Sequence, residues 1–173
     1  MSASGPRWCP VYVGIGSNLD DPERQVAQAI ADLRALPDCL LTVVSSLYRS
    51  APMGPADQPD YINAVAALLT TLAPHDFLGE LQKIEVRHGR QRDGERWGPR
   101  TLDLDMLVFG SHRIADDRLN VPHAGIAARN FVLLPLCELA PQLNVPGLGT
   151  VTALLHALSD SAAQIERIGQ ANP

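Results

Sequence analysis

Between Gly89 and Gly110 the chain reads GRQRDGERWGPRTLDLDMLVFG, and no other stretch restricts the fold as much. Its second half is a short apolar strand that carries Asp103 and Asp105. A buried, unpaired charge is very costly, so this strand must sit where something neutralises both carboxylates. Residues two apart on a strand share a face, roughly 6.5–7 Å apart at Cα. Asp103 and Asp105 therefore point one way, and Leu102, Leu104 and Met106 the other. The first half of the stretch is basic: Arg90, Arg92, Arg96 and Arg100 follow Arg87, diluted only by Asp93 and Glu95. Such a cluster on its own reads as a solvated basic face. Beside two carboxylates it suggests a site for a polyphosphate and its Mg²⁺ ions. Magnesium takes hard oxygen ligands, commonly one or two carboxylates plus substrate phosphates. In two-metal sites the ions lie about 3.5–4 Å apart, a span that carboxylates so spaced can bridge. Guanidinium groups pair bidentately with phosphate and stay charged. Gly89, Gly94 and Gly98 punctuate the loop, and Trp97 could close over a nucleotide or pack inward, so the loop is expected to act as a lid.

The rest of the chain supplies elements to hold that strand. Residues 1–7 read as a disordered lead, and 8–173 as one domain. Trp8–Ile15 is rich in strand formers and runs into Gly16-Ser17-Asn18, which reads as a turn. Asp21 suits an N-cap and Pro22 a first helical position, with Val26, Ile30, Leu33 and Leu36 at helical spacing. Leu40–Arg49 reads as a second strand and Tyr61–Leu69 as a third. The proline-rich connection between them, SAPMGPADQP, is expected to be an ordered functional loop. Pro74 opens a second helix through about His88, with Phe77, Leu78, Leu81 and Ile84 as its core stripe and Gly89 as a left-handed C-cap. The order strand, helix, strand, strand, helix, strand predicts an α+β, ferredoxin-like (βαββαβ) antiparallel sheet with both helices on one face. C-terminal additions follow: an extended piece in Arg113–His123, a helix over Ala127–Leu139 that must accommodate Pro135, a short helix over Thr150–Ser159, and an edge strand over Gln164–Ile168. Structural packing is expected of the 146–173 tail.

Charge and cysteine usage exclude several classes. Fourteen basic against nineteen acidic residues give a net charge of −5, which argues against a nucleic-acid binder, since those rely on a basic surface. No apolar run approaches the about 18 residues of a membrane span, and the N-terminus lacks a signal-peptide core. Cys9, Cys39 and Cys137 are odd in number and without metal-ligand spacing, reading as free thiols of a reducing compartment. A cytoplasmic monomer is expected. Gly14-Ile15-Gly16 invites a dinucleotide-binding reading, but position 19 is Leu and the strand–helix alternation of a doubly wound sheet does not follow. Its expected role is a close turn that presents Asn18. His123 and Arg129 could both face a phosphate. Tyr61, Asn63 and Phe131 suit a flat polar heterocycle, with aromatic faces for stacking and an amide for its hydrogen-bonding edge.

Three segments, SAPMGPADQPDYINAV, GRQRDGERWGPRTLDLDMLVFG and LNVPHAGIAARNFVLLPLCELAP, together with Gly16-Ser17-Asn18-Leu19, closely resemble the folate-pathway family of 6-hydroxymethyl-7,8-dihydropterin pyrophosphokinases. The resemblance runs from about residue 11 to 145, and its R-W-G-P-R-T-L-D-L-D core is highly specific. It implies transfer of the terminal pyrophosphate of ATP to the pterin hydroxymethyl oxygen, releasing AMP. By motif position, Asp103 and Asp105 would ligate two Mg²⁺ ions and act in catalysis with Arg90 and Arg100. Arg90, Arg92, Trp97 and Arg100 would lie over ATP, His123 and Arg129 would contact phosphates, and Gln82, Glu85, Met106, Arg118 and Asn120 would line the nucleotide side. Asn18, Ser50, Pro52, Met53, Gly54, Tyr61, Asn63, Trp97 and Phe131 would form the pterin side. The chain departs from the family pattern at Asp93, where members often carry lysine, and at Ala124, where they often carry tyrosine. Loss of a cation and of an aromatic there implies weaker ATP affinity with the chemistry intact. The rival readings are a nucleotidyltransferase, which would release pyrophosphate, and a non-catalytic nucleotide- or pterin-binding module.

Overall fold

A computed structural model describes residues 7–90, 100–158 and 164–171. Strand β1 (Cys9–Ser17) is central, paired antiparallel to β4 (Tyr61–Thr70) on one side and β5 (Asp103–Phe109) on the other. Helix α1 (Pro22–Arg34) follows β1, and α2 (Pro74–Arg87) joins β4 to β5. Both begin at the proline whose fixed φ suits a first turn. Asp21 precedes α1 as expected, but at φ 63° its side chain makes no capping hydrogen bond. Gly89 follows α2 at φ +78°, a conformation that glycine adopts without strain.

The expected second strand is two: β2 (Cys39–Val44) and β3 (Ser46–Ser50). Both pair with β4, and Ser45 between them exchanges its backbone N–H with Val65 O (2.9 Å) while its Oγ accepts from Val65 N (2.9 Å). A serine that satisfies a neighbouring strand through its side chain breaks the ladder without leaving a buried group unpaired. The sheet order β3-β4-β1-β5 is the ferredoxin-like one.

Two cores flank the sheet. On one face Val11, Val13 and Ile15 of β1 pack with Val26, Ile30 and Leu33 of α1 and Phe77, Leu81 and Ile84 of α2. Each such buried side chain contributes about 1.5–3 kcal/mol. The C-terminal additions cover the other face. Past a short hairpin, β6 (Ile114–Ala115) with β7 (Asn120–Val121), helix α3 (Asn130–Leu139) packs Val132, Leu133 and Leu136 against Val65, Leu107 and Val108. The turn-like pair β8 (Asn144–Val145) and β9 (Gly149–Thr150) leads into α4 (Val151–Ala157), and Val145 of β8 and Val151 of α4 extend this second core. The edge strand β10 (Ile165–Gln170) pairs with β3. Coverage on both faces explains why β4 is an almost unbroken apolar run rather than an alternating one.

Strand β5 holds one irregularity. Val13 faces Met106 while Tyr12 faces Val108, so Leu107 is an extra residue. The bulge turns Leu107 and Val108 into the second core and returns Phe109 to the first.

Candidate active site

Strand alternation puts residues 14 and 16 of β1, 61, 63 and 65 of β4, and 103 and 105 of β5 on the sheet face opposite α1 and α2. The cross-strand register makes this row compact. Gly14 lies between Val65 and Asp105, and Gly16 between Asn63 and Asp103. Two glycines in the middle strand leave a trough, and a cavity of about 620 Å³ opens above it. Gly14-Ile15-Gly16 is therefore neither a turn nor a dinucleotide motif but the cavity's strand floor. The signal was in the sequence: glycine inside a strand often marks close approach by a ligand or another backbone.

The carboxylate end is dense with charge. Arg90 Nη1 lies 2.6 Å from Asp103 Oδ1, and Arg100 Nη1 lies 2.7 Å from Asp103 Oδ2. Arg90 also pairs with Glu85 of α2, and Glu85 Oε1 accepts from the Leu104 backbone N–H at 2.8 Å. That bond fixes β5 midway between the two aspartates. Burial pushes the Glu85 carboxyl up to about 7, although the Leu104 N–H and Arg90 oppose the rise. Asp105 is also held above the ordinary carboxylate range, by burial first and by the charge of Asp103 second. His123 Nε2 and Arg129 Nη1 both stand 3.6 Å from Asp105 Oδ2, beyond hydrogen-bonding distance. The Gly125 N–H donates to His123 Nδ1 at 3.0 Å, which leaves Nε2 turned toward Asp105.

The donor chemistry fits Mg²⁺. Two carboxylates share a face, and the partly buried Asp105 has no cation at hydrogen-bonding distance among the described residues. Among those residues no group of three or more His, Cys, Asp or Glu side chains could hold a metal by itself. Further ligands would have to be phosphate oxygens and water, as is usual for this ion.

The opposite end is lined by two aromatic rings and one fixed amide. Tyr61, Asn63 and Phe131 line it with Met53 and Gly54 from the loop after β3. Asn63 Nδ2 donates to Ser50 Oγ at 2.9 Å, so Oδ1 is the atom presented to the cavity. Arg129 sits 5.9 Å from the centre of the Phe131 ring, tying the charged end to the aromatic one. Asn18 does not line the cavity but binds its rim together. Its Nδ2 donates to Gln58 Oε1 and Pro59 O, and its Oδ1 accepts from the Arg100 N–H.

The structure gathers Gln82, Glu85, Arg90, Arg100, Asp103, Asp105, His123 and Arg129 around one end, and Met53, Gly54, Tyr61, Asn63 and Phe131 around the other. Ser50 is buried behind Asn63, and Pro52 is half-buried without lining the cavity. Three expected nucleotide residues are not brought there. Met106 lies in the first core at 3% exposure, because its side chain leaves β5 on the face opposite Asp105. Arg118 and Asn120 are exposed on the β6–β7 hairpin. Arg92 and Trp97, like Asp93, fall outside the described residues. Ala124 does line the cavity.

Residues 12–141 match the family model described as 7,8-dihydro-6-hydroxymethylpterin-pyrophosphokinase (HPPK). A Pseudomonas aeruginosa protein named 2-amino-4-hydroxy-6-hydroxymethyldihydropteridine pyrophosphokinase is 54% identical over 136 residues, covering 79% of this chain and 83% of that protein. An Arabidopsis thaliana protein named folate synthesis bifunctional protein is 38% identical over 165 residues, covering 92% of this chain but 33% of its own length. The wild-type HPPK-DHPS structure from Plasmodium falciparum superposes with a TM-score of 0.68 at 12% identity, over 89% of this chain. The match spans 44% of that protein, and the likeness is one of fold.

Proposed function

We infer that this chain, which belongs to the 7,8-dihydro-6-hydroxymethylpterin-pyrophosphokinase family, is a 2-amino-4-hydroxy-6-hydroxymethyldihydropteridine pyrophosphokinase of folate synthesis. It uses ATP as co-substrate and moves its terminal pyrophosphate onto the hydroxymethyl oxygen of 6-hydroxymethyl-7,8-dihydropterin. The observation that carries the reading at this site is the register across β1, which sets Asn63 and Tyr61 on one side of Gly16 and Asp103 on the other. A ring-binding end and a phosphate-binding end thereby share one trough, two strand spacings or about 10 Å across.

In the reaction the hydroxymethyl oxygen forms a bond to the β-phosphorus, and the bond from that phosphorus to the oxygen bridging to AMP breaks. AMP leaves with the electron pair, and the hydroxyl proton passes to solvent. Tyr61 and Phe131 hold the ring by stacking, and Asn63 Oδ1 accepts from its N–H edge. Arg90, Arg100, His123 and Arg129 bind the phosphate oxygens and stabilise charge on the migrating group, the main catalytic lever in phosphoryl transfer. Asp103 and Asp105 would hold two Mg²⁺ ions, whose chemistry is to neutralise the phosphates and polarise their oxygens. Gln82 would meet the nucleoside, and Arg92 and Trp97 would join from the adjoining segment. The reading is of one domain over residues 8–173, a cytoplasmic monomer. No helix among the described residues is long and apolar enough to cross a membrane.

The test is incubation with ATP, Mg²⁺ and 6-hydroxymethyl-7,8-dihydropterin, with the products resolved by chromatography. AMP appearing in step with a pterin diphosphate is expected. Pyrophosphate in place of AMP would mean nucleotidyl transfer, and saturable ATP binding without turnover would mean a binding module.

A further inference from the structure

We propose that Gly125 is a positioning residue of the phosphate-binding end: its bare α-carbon is the berth in which the Arg129 guanidinium lies, and that berth aims Arg129 at the phosphates. This rests on the reading of Arg129 as a phosphate-binding residue and goes beyond it, since Gly125 acts through Arg129 rather than on the substrate.

The backbone between β7 and α3 does not itself require glycine at this position. Gly125 has φ −93° and ψ 4°, the conformation of the third residue of a common type I turn, which suits most residues. That turn is closed by the Ile126 N–H donating to His123 O at 3.0 Å. What demands glycine is the side chain four positions on. The short 3-10 turn Ile126–Ala128 brings the chain back, and Arg129 lies against the Gly125 backbone. A Cβ built on Gly125 would stand 2.7 Å from Arg129 Nε and 2.9 Å from its Cζ, closer than a carbon can approach either. The Arg129 backbone is fixed, because its carbonyl accepts the Val132 and Leu133 N–H groups that open α3. Only the guanidinium can give way. Its present place is a specific one: Nε and Nη2 lie against Gly125, while Nη1 stands 3.6 Å from Asp105 Oδ2 at the cavity wall. The Phe131 ring, its centre 5.9 Å from Cζ, bounds the guanidinium as well. A methyl at position 125 would therefore leave the turn intact and drive the Arg129 head group out of this berth, away from the phosphates it is aimed at.

The experiment compares wild type with Gly125→Ala, Arg129→Met and the double variant, by thermal unfolding and by affinity for a non-hydrolysable ATP analogue with Mg²⁺. Alanine keeps the N–H that donates to His123 Nδ1, so the substitution does not disturb His123 directly. For Gly125→Ala the unfolding midpoint is expected to equal or exceed that of wild type, since alanine at a negative φ restricts the unfolded chain. Its nucleotide affinity is expected to fall about tenfold, the scale of one charged hydrogen bond. In the Arg129→Met background the same substitution should change affinity by less than about twofold, because the group it displaces is already gone. An undiminished loss in that background would overturn the proposal, by showing that Gly125 acts independently of Arg129. So would equal affinity in wild type and Gly125→Ala. A midpoint well below wild type in Gly125→Ala would overturn it too, because the fold rather than Arg129 would then require glycine. Wild-type affinity in Arg129→Met would remove Arg129 from the phosphates, and the proposal with it, while leaving the pyrophosphokinase reading in place. Only a wild type that bound no nucleotide would sink that reading as well.

Discussion

Glu85 shows how much one side chain can organise. It stands on α2 at 3% exposure, takes the Leu104 N–H on Oε1, and is paired with Arg90. Burial dominates its titration, lifting it from an ordinary 4.5 to about 7. The sign of the consequence is fixed by linkage. Between those values the folded protein binds more protons than the unfolded chain, so Glu85 lowers stability as pH rises and its full penalty is present above about 7. Glu85→Gln keeps an acceptor for Leu104 but does not titrate. Urea unfolding from pH 4.5 to 7.5 should therefore show Glu85→Gln gaining on wild type by roughly 2 kcal/mol, at about 1.36 kcal/mol per pH unit over part of the interval. Asp105 is shifted upward too, but it is present in both proteins and largely cancels. A difference that stays flat with pH would mean that Glu85 is not held up by its burial. At this scale the sequence is legible where a single rule governs a position and ambiguous where two compete. Asp103 and Asp105 share a face because a strand has a period of two. The same rule sends the Met106 side chain into the core, away from the face that carries both aspartates. Glycine signals both turns and ligand approach, so Gly14 and Gly16 read as a turn when they are the floor.

Among the elements, those with local punctuation were readable and those defined by distant partners were not. Pro22 and Pro74 mark the starts of α1 and α2, and the apolar stripes of both helices fall where their spacing puts them. The break between β2 and β3 depends on Ser45 meeting Val65, twenty residues on, and nothing local announces it. Helix α3 is apolar nearly all round, so its sequence could not say which sheet face it covers. One polar residue decides its docking. Glu138 Oε1 accepts from the Ser46 N–H at 3.0 Å and Ser46 Oγ at 2.9 Å, and its Oε2 accepts from Tyr48 OH at 2.7 Å. Arg167 of β10 donates to the same Ser46 Oγ at 2.8 Å. Burial raises the Glu138 carboxyl, but the Tyr48 and Ser46 hydrogen bonds outweigh it and hold it below the usual range. Tyr48 is pushed up to about 12 and stays a donor at any working pH. Truncation leaves these donors on β3 without their acceptor. Glu138→Ala should cost about 2 kcal/mol, since buried groups left unpaired lose about 1–3 kcal/mol, and Glu138→Gln should cost less. Denaturant midpoints check this, and equal midpoints for wild type and Glu138→Ala would mean that apolar packing alone docks α3.

For the whole molecule, charge separates the outside from the site. The chain carries −5, which repels a polyphosphate until salt screens the repulsion beyond a Debye length of about 10 Å. The described part of the cavity offers little to reverse that repulsion. Arg90, Arg100 and Arg129 face Glu85, Asp103 and Asp105, and the closest of these groups are already paired across 2.6–2.7 Å. ATP alone would have to pull arginines from carboxylates and leave those carboxylates buried without partners, an arrangement that costs more than the new pairs return. If Mg²⁺ takes the carboxylates, the same arginines are released to the phosphates with no charge left uncompensated. Nucleotide affinity should therefore depend on the divalent ion more steeply than simple neutralisation of ATP in water would give. Titration calorimetry with a non-hydrolysable analogue is expected to show binding at least about tenfold weaker in EDTA than in Mg²⁺, or roughly 1.4 kcal/mol. Asp103→Asn/Asp105→Asn should narrow that gap, because it removes the carboxylates that compete for the arginines and that would hold the metal. If the gap persisted unchanged in the double variant, the metal would be acting on ATP alone, and the carboxylate pair would have to be assigned to holding the arginines in place.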